Sequence, residues 1–369
     1  MRVCIEARSY FGHKPGGFRT YVGALVEGLS GRGVEVHCVT NVTGGRQPSP
    51  AVVLPPTGQG ALRKVIYDQL SVPMYVRHTR TDLMHFPCNG LPRRLHRVPT
   101  VVTMHDTLWY RPARADGVYQ RAFAAYEARA GVLALTCADA LITVSRYSRE
   151  RIDQLRKDLR LTTDLPVYVI YNGADRVFAK PGLPWERRSA IMCFASPDKR
   201  KRPELVLQSY TAAAPEFRAR IHVAVVLSRK ELVPTMRALA LQCGVEPNEL
   251  ELLIEPPTSD LVDLMGRSLA LVFPNRDEGF GLPVIEAMTA GTPVIGVRSG
   301  AVPEVGGDAV LYAGGTIVTD VKRMLERLST DKGWWHVLSG RGVAQASLFQ
   351  WERAMTEHIR VYEAVASGR

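Results

Sequence analysis

The sequence lacks the patterns that mark several large classes of protein. It contains no apolar run near the roughly 18–20 residues that cross a bilayer. It opens on the strand-like segment RVCIEA with no signal-peptide pattern, and we therefore expect a cytoplasmic protein. The six cysteines are scattered, without a Cys-x-x-Cys pair, which is typical of buried free thiols in a reducing compartment.

Motifs for two kinds of ligand are also missing. No basic stripe is interleaved with aromatic residues and no nucleic-acid-binding motif occurs, so we expect no nucleic acid partner. The dinucleotide fingerprint needs three spaced glycines, whereas the most informative glycine loop has only Gly279 and Gly281, which disfavours a dehydrogenase. No Asp-x-Asp pair is present either.

The composition indicates a globular protein with one basic half. A chain of 369 residues, 46% of them hydrophobic, is long enough for two domains. The net charge of +11 is uneven, because the first 180 residues hold 25 Lys and Arg against 14 Asp and Glu, whereas the remainder holds 22 of each. Such a field attracts anionic partners, such as a membrane surface or a phosphorylated acceptor, although an ordinary basic surface explains it equally well.

One stretch of the basic half is a candidate contact surface. Ala61–Arg80 has apolar residues at helical spacing among four basic ones, and Pro73 is expected to divide it into two helices. A basic amphipathic segment of this kind can touch an anionic membrane from the cytoplasmic side, or a large acceptor. The alternative is an ordinary pair of surface helices. The preceding residues 41–60 show no apolar period and are expected to form a long loop.

The most informative stretch is Ser268–Val297. A short apolar run over 268–273 is followed by the polar, glycine-bearing segment 274–281 and then by a helical pattern that begins at Pro283. The next strand is expected at 293–297, so the stretch predicts a strand–loop–helix–strand unit of a parallel α/β sheet. Ligands of such sheets bind at the carboxyl ends of the strands, where the start of a helix favours an anion.

Two carboxylates bracket this loop and helix. Glu278 lies in the loop, and Glu286 lies eight positions later, about one turn into the helix. Gly279 and Gly281 let a ligand approach the backbone closely. A phosphate at the helix start, with acids on either side to accept hydroxyl hydrogen bonds, suits a nucleotide-sugar better than a bare nucleotide. A Gly-x-Gly after a strand is nevertheless common, and by itself it more often has no ligand.

The string GFGLPVIEAMTAGTPVI, with a glutamate just before it, closely resembles the donor-site signature of the retaining glycosyltransferases of family 4. The family's E-x7-E motif matches Glu278 and Glu286. By this resemblance Glu278 faces the donor sugar as a catalytic residue, and Glu286 holds the ribose hydroxyls. The segment that meets sugar and phosphate through its backbone comprises Gly279, Phe280, Gly281 and Leu282.

The start of the chain is similar to the family's opening. The strand IEAR and the loop-helix PGGFRTYV match that opening, which assigns Gly16 and Gly17 to donor binding. This chain departs from the family pattern at three positions: Glu6, Arg19 and Thr20 stand where Asp, Gly and Arg are usual. From spacing alone, a tight turn between strand and helix explains the two glycines.

Two further segments resemble the family at the reacting groups. A strand that ends in His105-Asp106 is similar to the pattern at the sugar site, which implies that His105 contacts the donor sugar and helps to stabilise charge at the reacting carbon. Asp106 either binds a hydroxyl or acts as a base. The run KRKR before a helix near Pro203 resembles the phosphate-binding segment, which places Arg200 and Lys201 at the donor pyrophosphate. Without the resemblance, the run KRKR is explained as an ordinary group of solvent-exposed charges.

The resemblance implies an α/β protein of the GT-B fold, with two Rossmann-like domains whose parallel sheets face each other across a cleft. Residues 1–176 are expected to bind the acceptor, chiefly through the loops 41–60 and 107–118. Residues 177–348 are expected to bind the nucleotide-sugar, and the helix 349–369 to cross back to the first domain.

The same resemblance implies the reaction. A sugar moves from a UDP- or GDP-linked donor to the hydroxyl of a sugar, lipid-linked or small-molecule acceptor, with retention of configuration and with neither metal nor cofactor. Two alternatives stay open. One is another GT-B enzyme, an epimerase or a phosphorylase, and the other is a non-catalytic binding protein that uses the basic first domain.

Overall fold

A computed structural model describes residues 1–11, 16–42, 51–58, 60–93, 95, 98–110 and 118–368, with the side chains of all but 118–120. The chain forms two compact units, Met1–Asn172 with Trp351–Arg369, and Gly173–Gln350. The sequence predicts domain borders after residues 176 and 348, and the two units of the structure divide after residues 172 and 350. Within the described ranges, no helix is both long and apolar enough to cross a membrane.

The first unit is built on a seven-stranded parallel sheet. Its strand order is β3-β2-β1-β4-β5-β6-β7. The bounds are β1 Arg2–Glu6, β2 Glu35–Thr40, β3 Ala51–Val53, β4 Leu83–Phe86, β5 Thr100–Met104, β6 Ala140–Thr143 and β7 Val167–Val169.

Helices connect these strands. They are α1 Arg8–Phe11, α2 Gly17–Leu29, α3 Ala61–Ile66, α4 Val72–His78, α5 Val118–Cys137 and α6 Arg146–Asp158. Ser145 caps α6, as its position predicts, because its Oγ accepts a hydrogen bond of 3.0 Å from the Ser148 amide.

Two expectations for the first unit are wrong in detail. The segment 41–60 is not loop throughout, because β3 pairs with β2 along Cys38–Thr40. The two expected helices of Ala61–Arg80 form, with Pro73 at the start of the second, but they are not separated by a break. A π-helical turn, Tyr67–Ser71, joins α3 to α4, and Pro73 lies in the first turn of α4. The wider π turn accommodates a residue that has no N–H to donate.

The second unit has a six-stranded parallel sheet of order β10-β9-β8-β11-β12-β13. The central strands are buried on both faces, as parallel sheets covered by helices usually are. The bounds are β8 Ala190–Ala195, β9 His222–Leu227, β10 Leu250–Ile254, β11 Ser268–Phe273, β12 Val294–Val297 and β13 Val310–Ala313.

The helices of the second unit are α7 Pro203–Thr211, α8 Pro215–Arg218, α9 Val233–Gln242, α10 Thr258–Arg267, α11 Leu282–Thr289, α12 Val302–Gly306, α13 Ile317–Thr330 and α14 Lys332–Ala346. The last helix, α15 Trp351–Ser367, belongs to the first unit. Helix α10 has no side-chain cap at its start. Pro257 is the N-cap residue, and Ser259 bonds Asp260 instead.

Each sheet changes its winding direction once. In the first unit the chain winds outward from β1 toward β3 and, on the other side, from β4 toward β7. In the second unit the two directions start from β8 and β11. The crevice outside the carboxyl ends of such a strand pair is where open α/β sheets bind ligands. The two crevices therefore locate the candidate sites.

Candidate active site

The crevice of the second unit is formed by the segments that follow β8 and β11. The first of them contains Arg200 and Lys201, and the second is the loop 274–281 that leads into α11. Helix α11 begins at Leu282, one residue before the expected Pro283. Its N-cap residue Gly281 has φ 92° and ψ 52°, a left-handed conformation that glycine adopts without strain. Gly291, which follows the helix, has φ 67°, the left-handed conformation in which glycine often ends a helix.

Lys201 and Glu278 meet although 77 positions separate them in the chain. The Lys201 Nζ lies 3.1 Å from the Glu278 Oε2, and both side chains are about one-fifth exposed. Asn275 donates a second hydrogen bond of 2.9 Å to the same oxygen. The Lys201 ammonium also lies 5.7 Å from the centroid of the Phe273 ring, close enough for a cation–π contact.

Arg200 lies beside this pair and is held by its own partners. Its guanidinium is ion-paired with Asp198, and its Nη1 donates 2.8 Å to the carbonyl of Asp277. Asp198 also caps the 3₁₀ turn Lys199–Lys201, because it accepts from the Arg200 amide at 3.0 Å. The run KRKR is therefore not a uniformly solvated charge run. Lys199 is exposed, whereas the next two cations are partly buried at the carboxyl end of β8.

The loop that holds Glu278 is braced by the segment after β12. The Ala301 amide donates to the carbonyl of Glu278 at 2.8 Å, and the Asp277 amide donates to the Ser299 Oγ at 3.1 Å. Gly300 has φ 63°, and a Cβ on it would lie 2.4 Å from the Glu278 amide nitrogen. Only glycine fits there, so the close approach of the two segments fixes the backbone of Glu278.

Glu286 differs from Glu278 in having no counter-ion. Its carboxyl group forms no hydrogen bond or ion pair with any residue that the structure describes, and its side chain is half-buried on α11. Burial, with a smaller contribution from the nearby Asp175 carboxylate, raises the pKa of Glu286 to about 7. Near neutral pH it can therefore either donate or accept a hydrogen bond.

His105 follows β5 in the first unit and is a neutral, partly buried imidazole. Its Nε2 lies 2.9 Å from the carbonyl of Pro87, which can only accept, so the proton sits on Nε2 and Nδ1 is left as an acceptor. Burial lowers the pKa of His105 to about 4. Its ring meets the rings of Phe18 and Tyr21 edge to face, at centroid distances of 4.8 and 4.7 Å.

Asp106 is tied to its own loop. Its Oδ1 accepts from the Asn89 amide group at 3.2 Å and from the Leu108 backbone amide at 3.1 Å. The Asp106 carbonyl accepts from the Trp109 indole at 3.0 Å. These bonds shape the turn after β5 and place Trp109.

A buried hydrogen-bond network lies behind His105 and was not predicted. The Tyr21 hydroxyl lies 2.8 Å from both Thr103 Oγ1 and His358 Nε2, and Thr103 Oγ1 lies 2.8 Å from His85 Nε2. The Tyr362 hydroxyl lies 2.7 Å from His85 Nδ1. We call these five residues the tyrosine–histidine network. It joins α15 to β4, β5 and α2, so no local sequence pattern could reveal it.

The two glycines at the start of α2 are only partly covered by the structure. Gly16 is the N-cap residue, with φ 154° and ψ 168°, and Gly17 is the first residue of the helix. Both are exposed. Residues 12–15 lie outside the described part of the chain, as do 43–50 and 59 of the first expected acceptor loop and 111–117 of the second.

The structure thus gathers the predicted site residues into two groups. Arg200, Lys201, Glu278 and the start of α11 meet in the second unit. His105 and Asp106 lie in the first unit. The ring of Phe18, at the start of α2, contacts the ring of His105 there. The role of Asn275 as a partner of Glu278 was not predicted. Its position, a polar residue two places after the apolar strand β11, is a feature that the sequence shows.

Comparisons with known proteins agree with this architecture. Residues 15–178 match Glycosyltransferase Family 4, and residues 180–332 match Glycosyl transferases group 1. A relative is the O-antigen chain mannosyltransferase B of Escherichia coli, 28% identical over 78% of this chain and 76% of the relative. Another is the D-inositol 3-phosphate glycosyltransferase of Streptomyces bingchenggensis, 26% identical over 96% of this chain and 87% of the relative.

Solved structures show the same fold at low sequence identity. The sucrose-phosphate synthase of Thermosynechococcus elongatus is 18% identical, with a TM-score of 0.78 over 100% of both chains. Anabaena HepE in complex with UDP-glucose is 17% identical, with a TM-score of 0.76 over 99% of this chain and 100% of that one. With both halves matched by glycosyltransferase families, the chain belongs to the family 4 glycosyltransferases of the GT-B fold.

Proposed function

We propose that this glycosyltransferase moves a sugar from a UDP- or GDP-linked donor to a hydroxyl acceptor, with retention of configuration and without a metal. The observation that carries the proposal is the meeting of Lys201 and Glu278 in the crevice between β8 and β11. A partly buried cation next to a braced carboxylate suits a ligand that bears a diphosphate and a sugar. The structures of Anabaena HepE in complex with UDP and with UDP-glucose support a nucleotide-sugar donor.

The cations would bind the pyrophosphate. Lys201 can exchange Glu278 for a phosphate oxygen, and Arg200 stands beside it on the same turn. The first amides of α11 would add the positive end of a helix dipole. Fixed positive charge at the leaving diphosphate stabilises the charge that develops in the transition state, which is the part a metal plays in other enzymes. The leaving phosphate would then take the acceptor's proton at the same face.

The carboxylates would hold hydroxyl groups. Released from Lys201, Glu278 can accept from hydroxyls of the donor sugar, while Asn275 keeps its orientation. Glu286, without a described partner, would accept from the ribose hydroxyls. Gly279–Leu282 would pass close to the phosphates. In the first unit, the Nδ1 of His105 can accept from a sugar hydroxyl, and Asp106 would position its loop rather than act as a free base, since it already accepts two hydrogen bonds.

A transfer assay with matched lysine variants tests the proposal. The assay contains EDTA and the nucleotide-sugar that the protein binds. Lys201→Gln and Glu278→Gln should each lower kcat/KM by at least about 100-fold, which corresponds to about 2.7 kcal/mol of transition-state stabilisation. Lys199→Gln, an exposed cation of the same run, is the control and should stay within about threefold. NMR of the product gives the configuration of the new bond. Full activity in Lys201→Gln would contradict its role at the pyrophosphate, and inverted product would contradict retention.

The same assay separates the other GT-B activities. An epimerase would release free nucleotide without an acceptor, and a phosphorylase would require inorganic phosphate. A non-catalytic protein would show neither reaction.

We further propose that the helical segment Ala61–His78 touches an anionic membrane surface. Four large apolar side chains, spaced by four residues, are exposed along it: Leu62, Ile66, Leu70 and Met74. Arg63 and Arg77 are exposed beside them, and Asp68, the one acid of the segment, is buried. Apolar and cationic groups on one face are typical of helices that lie in the interface of a bilayer.

Vesicle co-sedimentation tests the membrane contact. The protein should sediment with vesicles rich in phosphatidylserine and not with purely zwitterionic ones, and Leu70→Glu should weaken that binding. Leu241→Glu, at a comparably exposed leucine of the second unit, is the control. Equal binding of both variants, or no preference for anionic vesicles, would refute this contact.

A further inference from the structure

A cleft of about 650 Å³ opens in the first unit, where its sheet changes winding direction. Its lining includes Glu6, Arg8 and Ser9 at the end of β1, and Phe86, Cys88 and Asn89 at the end of β4. This is the crevice in which open α/β sheets bind ligands. Its volume also lies within the range of about 300–1,000 Å³ that small-ligand pockets have.

We propose that the acceptor for which this cleft is suited presents an uncharged, hydroxyl-rich sugar rather than a phosphorylated group. The inference rests on the proposed function, because it names the substrate class of the second binding site of the same enzyme. It comes from the balance of charge in the cleft and from its aromatic wall.

The cations of the cleft are matched by acids. Of the lining residues that the structure describes, three are cations, namely Arg8, Arg19 and Lys64, and three are acids, namely Glu6, Asp68 and Glu127. A phosphate group would therefore meet as many carboxyl groups as cations. Among the described residues, the lining offers no net positive site of the kind that holds a dianion.

Two of these three cations, Lys64 and Arg8, also already have partners. The Lys64 Nζ lies 2.5 Å from the Asp68 Oδ2, and Asp68 is only 3% exposed. The Tyr126 hydroxyl donates 2.9 Å to the same oxygen. A phosphate could take Lys64 only by leaving a buried carboxylate without its counter-ion, which is costly. The Arg8 Nε is likewise directed to the Asn41 Oδ1, at 2.8 Å.

The carboxyl groups suit hydroxyl donors. Glu6 accepts from the Arg8 amide at 3.1 Å through Oε1, and burial raises the pKa of Glu6 to about 7. Glu127 is exposed to solvent on α5, on the same helix as Tyr126. Carboxylates accept hydrogen bonds at up to four positions, so two or three of them can orient the hydroxyls of one sugar ring.

Aromatic side chains give the other half of the recognition. Trp109, Phe123 and Tyr126 line the cleft. The indole of Trp109 is fixed by its bond to the Asp106 carbonyl and by Gly131, where a Cβ would lie 2.3 Å from its ring. The flat apolar face of a sugar ring, with partly positive C–H groups, packs well on the negative face of an aromatic ring.

The test is a binding titration of the full chain without any donor, followed by tryptophan fluorescence and by saturation-transfer NMR. The probes are methyl α-D-mannopyranoside, methyl α-D-glucopyranoside and myo-inositol, each compared with a singly phosphorylated counterpart, and inorganic phosphate alone. At least one uncharged probe should bind, and its phosphorylated counterpart should bind at least threefold more weakly. Glu127→Gln should weaken the best probe about tenfold, which is about 1.4 kcal/mol.

Glu150→Gln, an exposed acid on α6 outside the cleft lining, is the matched control and should leave binding unchanged. Tyr126→Phe is the second cleft variant and should weaken binding as well. The nucleotide-induced thermal shift should persist in both cleft variants, which separates this inference from the donor-site proposal.

Tighter binding of phosphorylated probes or of phosphate alone would overturn the charge argument. So would binding that neither cleft variant affects. No binding of any uncharged probe by a protein that still binds a nucleoside diphosphate would overturn the inference while leaving the donor site standing.

Discussion

His358 of the tyrosine–histidine network should make the stability of the first unit depend on pH. Its side chain is fully buried, and its Nδ1 lies 2.7 Å from the carbonyl of Ala354, which requires a proton on Nδ1. Its Nε2 then accepts from the Tyr21 hydroxyl. Burial disfavours the charged imidazolium and lowers the pKa of His358 to about 4 from an ordinary 6.5. Protonation of Nε2 would also make it a donor, so the bond from Tyr21 would have to reverse.

The sign and size follow from linkage. Between the two pKa values, His358 binds a proton in the unfolded state but not in the folded state. The contribution of neutral His358 to the free energy of unfolding is therefore complete above about pH 6.5 and is lost as the pH falls toward about 4. With these two pKa values, the free energy of unfolding loses about 2 kcal/mol between about pH 7.5 and pH 5.0 through His358 alone.

The wild type alone will not show this loss cleanly. Burial raises the pKa of Glu6 and of Glu286 to about 7, so both carboxyl groups stabilise the folded state as the pH falls, with the opposite sign. The comparison with His358→Gln removes these shared contributions. The stability difference between wild type and variant should shrink by about 2 kcal/mol between about pH 7.5 and pH 5.0.

Urea unfolding at both pH values measures this difference, with two transitions allowed in the fit because two units need not unfold together. Hydrogen exchange at β4 and β5 reports on the first unit separately. His336→Gln, an exposed histidine of the second unit, is the control for the loss of a histidine as such. A difference between wild type and His358→Gln that stays constant with pH would refute a neutral, buried His358.

Three further predictions concern single positions. Gly300→Ala should destabilise the second unit by about 2 kcal/mol or more and weaken nucleotide binding, because its Cβ would strike the backbone of Glu278; urea unfolding and calorimetry check both effects. Nucleoside diphosphate binding should tighten between about pH 6 and pH 8 more in the wild type than in Glu286→Gln, because an ionised Glu286 accepts better; calorimetry at both pH values measures this, and equal pH dependence would contradict it. Tyr21→Phe should cost about 2 kcal/mol or more in urea unfolding by stripping two buried partners of a hydrogen bond, whereas exposed Tyr168→Phe should cost little.

Much of the second unit could be predicted because its information is local. The run 268–273 is buried throughout, Pro283 lies in the first turn of its helix, and Gly291 adopts the left-handed conformation expected after it. The assignment of both Lys201 and Glu278 to the donor site came from family resemblance, which did not predict that the two side chains touch. Only the adjacency of β8 and β11 in the sheet explains why they meet.

The features that were missed depend on contacts distant in sequence. The three-residue strand β3 exists through pairing with β2. Helix α14 contains Gly333, Gly340 and Gly342, which lower helix propensity, and it is held by tertiary contacts such as the bond of 2.9 Å from the Trp335 indole to the Leu269 carbonyl. The brace of Gly300 on Glu278 likewise joins two loops that no periodicity connects.

The most direct test of the donor site is a thermal-shift panel of UDP, GDP, ADP, dTDP and NAD in EDTA, on the wild type, Lys201→Gln and Lys199→Gln. A ligand at about 100 times its Kd stabilises by about 2.7 kcal/mol, which a melting curve resolves. We predict that one of UDP and GDP raises the Tm of the wild type and of Lys199→Gln, and that Lys201→Gln loses most of this shift. No shift with any nucleotide, or an equal shift in all three proteins, would contradict a donor site built on Lys201 and Glu278.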